Sequence, residues 1–208
     1  MRVDTLRDCQ DVSAAREGGM HMTGQSPVGP LIHEHRVIER AIRDLEHRIA
    51  IFEETRTVDP AYIDTVVDFI RTYADRCHHG KEEDILFRDL AAKPLSEDLG
   101  RMMAVLVEEH RFARATTRRL VEQNALYVAG DASAIERIAE AARVLVEFYP
   151  LHIEKEDRRF FKPCMEYLTD GEKASMLAEE HEFDRMLIHE KYLGVVERLE
   201  AWGSSSPT

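Results

Sequence analysis

Two stretches of the chain repeat one arrangement of imidazoles and carboxylates. Cys77-His78-His79-Gly80-Lys81-Glu82-Glu83-Asp84-Ile85-Leu86-Phe87 aligns without gaps on Leu151-His152-Ile153-Glu154-Lys155-Glu156-Asp157-Arg158-Arg159-Phe160-Phe161. His78 then meets His152, Lys81 meets Lys155, Glu82 meets Glu156, Glu83 meets Asp157 and Phe87 meets Phe161. On a helix, residues four apart share a face, so His78/Glu82 and His152/Glu156 each offer an imidazole and a carboxylate to one point. That donor pair suits iron, manganese or zinc, whereas a soft metal would call for thiolates. A carboxylate has two oxygens and can bridge two cations, so two such motifs on facing helices would build a two-metal site.

Spacing alone is weak support in a chain with 40 acidic residues and ten histidines. His35/Glu39 and His79/Glu83 also fit the four-residue spacing. The duplicated context carries more, and so does height along the helices. His78 lies 12 residues before Leu90, His152 lies 11 before Pro163 and His110 lies 14 after Ser96. Those offsets correspond to roughly 16–21 Å from one end of an antiparallel bundle. A second phrase joins them: Glu34-His35-Arg36, Glu109-His110-Arg111 and Glu180-His181-Glu182 each set a histidine after an acid. His35 and His110 would supply one ligand each, while His181 reads as surface.

These residues need helices to hold them, and five segments have helical periodicity. The first runs from about Pro30 to Glu54, with Leu31, Ile38, Ile42, Leu45 and Ile49 on one stripe. The second opens at Asp59-Pro60, a cap followed by proline, and runs to Leu90 before Lys93-Pro94. The third extends from Ser96 to about Val128, where Gly130-Asp131 breaks the chain. The fourth continues to Lys162-Pro163, with Pro150 inside it expected to kink or split the helix. The fifth starts at the capping-box pattern Thr169-Asp170-Gly171-Glu172 and ends at Trp202-Gly203. With no alternating strand pattern anywhere, the expectation is all-α. Short connections imply antiparallel neighbours in an up-down-up-down four-helix bundle, with an additional C-terminal helix packed on it. The expected division is a flexible N-terminal segment over 1–28, a bundle over 29–165, the C-terminal helix over 166–203 and a disordered tail over 204–208. Met20 or Met22 is an alternative start.

The chain has 208 residues and a formal charge of −12, which disfavours nucleic acid and anionic lipid as partners. No run of about 20 apolar residues is present, so no membrane-spanning helix is expected. Cys9, Cys77 and Cys164 form no CxxC pair, and no secretory signal precedes them, which together point to the cytoplasm. Ferritin-like di-iron sites use Glu-x-x-His, and no histidine here has a glutamate at that offset. His-Glu-x-x-His, Gly-x-Ser-x-Gly and phosphate-cradling loops are likewise missing.

Taken in order, Glu34-His35-Arg36, His78-His79-Gly80-Lys81-Glu82-Glu83, Glu109-His110-Arg111 and His152-x-x-Lys155-Glu156 with Phe160-Phe161 resemble the hemerythrin-like (HHE cation-binding) family over about residues 29 to 165. His189-Glu190-Lys191-Tyr192 also resembles the C-terminal helix of longer bacterial members. The resemblance implies two non-haem iron ions, oxo-bridged in some states, with manganese or zinc as alternatives. The ligands it implies are His35, His78, Glu82, His110, His152 and Glu156, with Glu82 and Glu156 bridging. One departure stands out: oxygen-carrying members place a second histidine four residues after the one on the third helix, and Arg114 occupies that position. His79, His189, a tyrosine or solvent could fill the gap, with Glu83 and Asp157 as reserve carboxylates. The implied function is binding or sensing of a small diatomic or peroxide ligand: oxygen, peroxide or nitric oxide. The alternative is an enzyme degrading peroxide or nitric oxide, or an iron-handling protein for iron–sulfur repair, whose relatives carry a cysteine-bearing N-terminal domain. Phe87, Phe112, Phe148, Tyr149, Phe160 and Phe161 are expected to form a dry shell around the site.

Overall fold

The computed structural model describes the backbone of residues 26–204 and the side chains of residues 26–187. Of the flexible lead-in expected over 1–28, residues 1–25 lie outside the described residues, as do residues 205–208 of the tail expected over 204–208 and the side chain of His189. Val28 already belongs to the first helix and Ser204 to the last.

Every regular element among the described residues is helical. Helix α1 is Val28–Thr55. Helix α2 begins as the α-helix Pro60–Phe69, continues through the π-helical stretches Ile70–His79 and Glu82–Phe87, and closes with Arg88–Ala91. Helix α3 is Glu97–Val128. Helix α4 is Ala134–Lys155, followed by the π-helical Glu156–Phe160 and the short α-helical Phe161–Cys164. Helix α5 is Asp170–Ser204.

Local chemistry sets these boundaries. The Asp59 carboxylate accepts from the Ala61 and Tyr62 amides, and Pro60 behind it has no amide to leave unsatisfied. Ser96 caps α3 through the Leu99 amide. Ahead of α5, the Thr169 hydroxyl accepts from the Glu172 amide while the Glu172 carboxylate accepts from the Thr169 amide, a reciprocal pair that satisfies two otherwise orphaned donors. Past the end of α3, Gly130 takes a φ of 99°, a left-handed conformation that a side chain would oppose. Pro150 neither splits α4 nor ends it; the helix runs unbroken from Ala134 to Lys155.

Helices α1 and α2 each pack against a neighbour on either side, as do α3 and α4: α1 touches α2 and α4, and α3 touches α2 and α4. Helix α5 lies against α2. Three apolar clusters form where the buried stripes meet, the smallest of them Leu45, Ile49, Ala139 and Ala142 between α1 and α4; the two larger ones flank the histidines. One gathers Ile38, Ile42, Ile63, Ile70, Leu120, Leu145 and Tyr149; the other gathers Leu31, Ile85, Leu86, Leu90, Leu106, Phe160 and Phe161. Each helix crosses from one cluster to the other: Leu31 to Ile38 on α1, Ile70 to Ile85 on α2, Leu106 to Leu120 on α3, Tyr149 to Phe160 on α4. At each crossing stands a histidine.

Candidate metal centre

His35 comes from α1, His78 and His79 from α2, His110 from α3 and His152 from α4, and all five are buried together with Glu82 and Glu156. The donor atoms of His35, His78, Glu82 and Glu156 lie within 4.8 Å of one another, as do those of His79, His110 and His152. The two carboxylates run between the groups. Glu156 Oε2 is 3.2 Å from His35 Nε2 and 3.3 Å from His152 Nε2, while its Oε1 is 3.6 Å from His110 Nε2. Glu82 Oε1 is 3.6 Å from His78 Nε2 and its Oε2 is 3.3 Å from His110 Nε2.

The far side of each ring explains the duplicated motif. Glu34 holds His78 Nδ1 at 2.9 Å and also pairs with Lys81, three residues after that histidine. In the second copy Glu109 holds His152 Nδ1 at 2.8 Å and pairs with Lys155. Asp157 holds His35 Nδ1 at 2.7 Å, and Glu83 holds His110 Nδ1 at the same distance. Glu34-His35 and Glu109-His110 therefore each work twice: the acid orients the imidazole of the next helix, and the histidine is oriented by the acid following Glu156 or Glu82. Glu83 and Asp157 face the outward ring nitrogens, and neither belongs to the two donor groups. A carboxylate on Nδ1 fixes the tautomer that leaves Nε2 bare as a donor to metal.

His79 has no counterpart in the second copy, where Ile153 stands. On an α-helix two consecutive side chains diverge by about 100° and would not both face one site. Helix α2 is π-helical through Ile70–His79, and at the end of that stretch His78 and His79 both reach the site, their rings 5.6 Å apart. His79 stacks on His110 with ring centres 3.9 Å apart. The π-helical Glu156–Phe160 stretch marks the same level on α4. Arg114, in the position of the missing histidine, donates to Asp75 at 2.6 Å and to Glu83 at 2.8 Å. Asp75 in turn lies 3.5 Å from His79 Nδ1, so the arginine braces a carboxylate that faces the fifth imidazole.

The electrostatics describe a site made for positive charge. His35 Nε2, His78 Nε2, His110 Nε2, His152 Nε2, both His79 nitrogens and all four oxygens of Glu82 and Glu156 have no hydrogen-bond partner. Each such buried atom costs on the order of 1–3 kcal/mol, a burden that coordination to a cation removes. The donor set thus fits a metal. Burial alone would depress the His35 and His110 imidazoles. The surrounding acids override it, with Asp157 and Glu156 raising His35 to about 10 and Glu156, Glu82 and Glu83 raising His110 to about 11. Burial would raise the Glu156 carboxyl, yet His152, His110 and His35 hold it well below the usual carboxylate range. His79 moves the other way, driven down by burial and by its three imidazole neighbours.

Aromatic rings close the surroundings. Phe161 stacks on His35 at 5.6 Å, Phe87 on His110 at 6.0 Å and Phe148 on His152 at 5.1 Å. Phe160 and Tyr149 are buried beside them, whereas Phe112, expected in the same shell, is 48% exposed. His181 is exposed on α5. What α5 brings to this level is the row Glu180, Phe183 and Asp184; of these the sequence pattern offered only Glu180, as the acid before His181. Asp184 is 2.8 Å from the buried Lys81 ammonium. The Phe183 ring packs so close to Gly80 that a Cβ there would meet its Cζ at 2.8 Å.

The model of the hemerythrin HHE cation binding domain matches residues 26–164. No curated protein matches the chain, and no solved structure does.

Proposed function

We infer the function from two facts: the chain belongs to the hemerythrin HHE cation-binding family, and two carboxylates run between two groups of buried imidazoles. The family and the His/Glu cluster together make this a cation-binding protein, iron being the typical cation. Beyond that, we propose a non-haem di-iron protein that binds or senses oxygen, peroxide or nitric oxide. The proposed donors are His35 and His78 for one iron and His79, His110 and His152 for the other, with Glu82 and Glu156 shared. On this reading His79 takes the place left by Arg114. Manganese or zinc would suit the same nitrogen and oxygen donors. The frame we propose is an up-down-up-down bundle of α1–α4 over 29–165 carrying α5. Short loops and contacts such as Arg56 at the end of α1 with Glu136 at the start of α4 support it.

The sharing of Glu156 among His35, His110 and His152 is the observation that carries the proposal. When bound, iron supplies Lewis acidity and redox chemistry. The protein's own part is to fix the imidazole tautomers through Glu34, Glu83, Glu109 and Asp157 and to exclude water with Phe87, Phe148 and Phe161. The free thiols Cys77 and Cys164 support the cytoplasmic assignment, and the charge of −12 supports partners other than nucleic acid. Iron analysis of His152→Ala and Glu82→Ala tests the ligand set. Both are expected to lose the second iron; variants that keep two per chain would show the donors are misassigned.

A second reading, an enzyme acting on peroxide, draws on one observation: a cavity whose lining includes Asp75 and Arg114 reaches His79.

A further inference from the structure

The internal repeat gives the two halves of the bundle corresponding outer faces, and α5 covers only the first. There the Cys77 thiol donates to Asp184 at 3.2 Å, the Lys81 ammonium lies 2.8 Å from the same acid, and Phe183 packs on Gly80. Over the second half nothing among the described residues takes that place. Leu151, aligned with the buried Cys77, is 68% exposed. Lys155, aligned with the fully buried Lys81, is 24% exposed.

Beside Leu151, the outer face of α3 adds more apolar surface. Val105, Phe112 and Leu126 are between 44% and 48% exposed and stand seven and fourteen residues apart, the spacing with which one helix offers a seam to another. Phe112 meets Phe148 across the α3/α4 groove at 5.5 Å, and Phe148 stacks on His152. The bare face therefore lies over one wall of the metal centre. Contiguous exposed apolar surface of this kind marks interaction sites on proteins. The charges beside it are complementary: α3 presents Arg111 and Arg119, and α4 presents Glu140 and Glu147, all exposed. Glu108 breaks the pattern on α3 and pairs with Arg111 within the chain.

We propose that the α3/α4 face binds a second copy of this chain about a two-fold axis running along the helices. Such an axis leaves heights unchanged. Within the chain, heights are fixed by the Phe112–Phe148 contact and by Arg119 lying 3.9 Å from Glu140. The axis therefore sets α3 of one copy antiparallel on α4 of the other, with Phe112 against Phe148 and Leu151. It also brings Arg119 level with Glu140 and Arg111 level with Glu147, and by symmetry each pairing occurs twice. A chain of charge −12 repels its own copy over most of its surface; on this face arginine meets glutamate. The second copy covers the second half of the bundle as α5 covers the first, and it keeps water from the ring stacked on His152. The interface uses no proposed metal ligand, so the inference goes beyond the metal reading and stands without it.

Sedimentation of the full chain over about 1–100 μM tests this. Wild type is expected to dimerise with a Kd on the order of 10 μM. Leu151→Glu places a charge on the seam at a side chain already exposed in the single chain. It is expected to weaken dimerisation about 100-fold with unchanged circular dichroism. Arg119→Glu is expected to weaken it about 10-fold, and combining it with Glu140→Arg to restore it, because the exchange recreates the pair both within the chain and across the axis. Wild type that stays monomeric at about 100 μM would overturn the proposal and leave the face to some other partner. A dimer that survives both Leu151→Glu and Arg119→Glu would overturn the assignment to this face.

Discussion

Replacing Glu34 and Glu109 by glutamine, one at a time, separates what these acids do for metal from what they do for folding. The two residues are equivalent in the repeat: each holds the Nδ1 of a histidine and pairs with a lysine. Losing the carboxylate behind a ligating imidazole typically costs about 10–100-fold in metal affinity, so both variants are expected to weaken iron to a similar degree. Their folding costs differ because α5 covers only one of them. The Lys81 side chain is fully buried, and breaking a buried pair costs about 3–5 kcal/mol. Asp184, 2.8 Å from the same ammonium, keeps Glu34→Gln near 3 kcal/mol, roughly 6–12 °C in the melting temperature of a chain this size. Lys155 and Glu109 are each 24% exposed, which limits Glu109→Gln to about 1 kcal/mol, or roughly 2–4 °C. Thermal unfolding of the metal-free variants by circular dichroism gives the second quantity, and iron titration the first. Equal melting temperatures would refute the burial argument. Unchanged iron affinity in both would refute the orienting role of the paired acids.

Other consequences follow from the same geometry. His35 and His110 are raised from 6.5 to about 10 and 11, so the stabilisation they give the metal-free fold is complete below about pH 6.5. It is lost as pH rises through 10–11; a melting temperature of metal-free protein that climbs across that window would contradict this. The same protons compete with metal, so iron affinity should rise with pH below those values and uptake should release protons, measurable in weakly buffered solution. Glu180 is buried without a hydrogen-bond partner, and burial pushes it up to about 8 against the pull of Lys81. Its folded value exceeds the unfolded 4.5, so stability drains as pH rises from 4.5 through about 8. Glu180→Gln should therefore melt higher than wild type at pH 8 and match it near pH 4. His79→Ala should weaken the second iron selectively, seen as a drop in iron per chain at limiting metal; full retention of two irons would remove His79 from the donors.

The parts of this molecule that sequence made legible are those set by short-range chemistry. Asp59-Pro60, Ser96 and the Thr169/Glu172 pair mark helix starts because capping involves neighbours in the chain. Leu31, Ile38, Ile42, Leu45 and Ile49 mark a buried stripe because periodicity needs no partner to be seen. The repeat His78/Glu82 and His152/Glu156 exposed its pairing of imidazole with acid for the same reason. What escaped depends on tertiary contact or departs from α-helical winding. His79 was one of several candidates for the gap left at Arg114; its stacking on His110 is a contact between helices that no local pattern announces. Glu83 and Asp157 read as spare carboxylates, and the structure turns them to the outer nitrogens of His110 and His35. The bracing of Asp75 by Arg114 and of Lys81 by Asp184 joins residues 39 and 103 positions apart, which no local pattern encodes. The adjacent His78-His79 pair is the one local cue to His79.

The central claim is a bridged pair of iron ions held by imidazoles from four helices, and iron-loaded wild-type protein tests it most directly. Iron would be counted per chain and the visible spectrum recorded after anaerobic reduction and again on exposure to oxygen. The geometry around Glu82 and Glu156 predicts two irons per chain and the absorption bands of a bridged ferric pair on oxidation. A colourless protein that retains no iron, or one iron per chain with no bridged-pair bands, would contradict it.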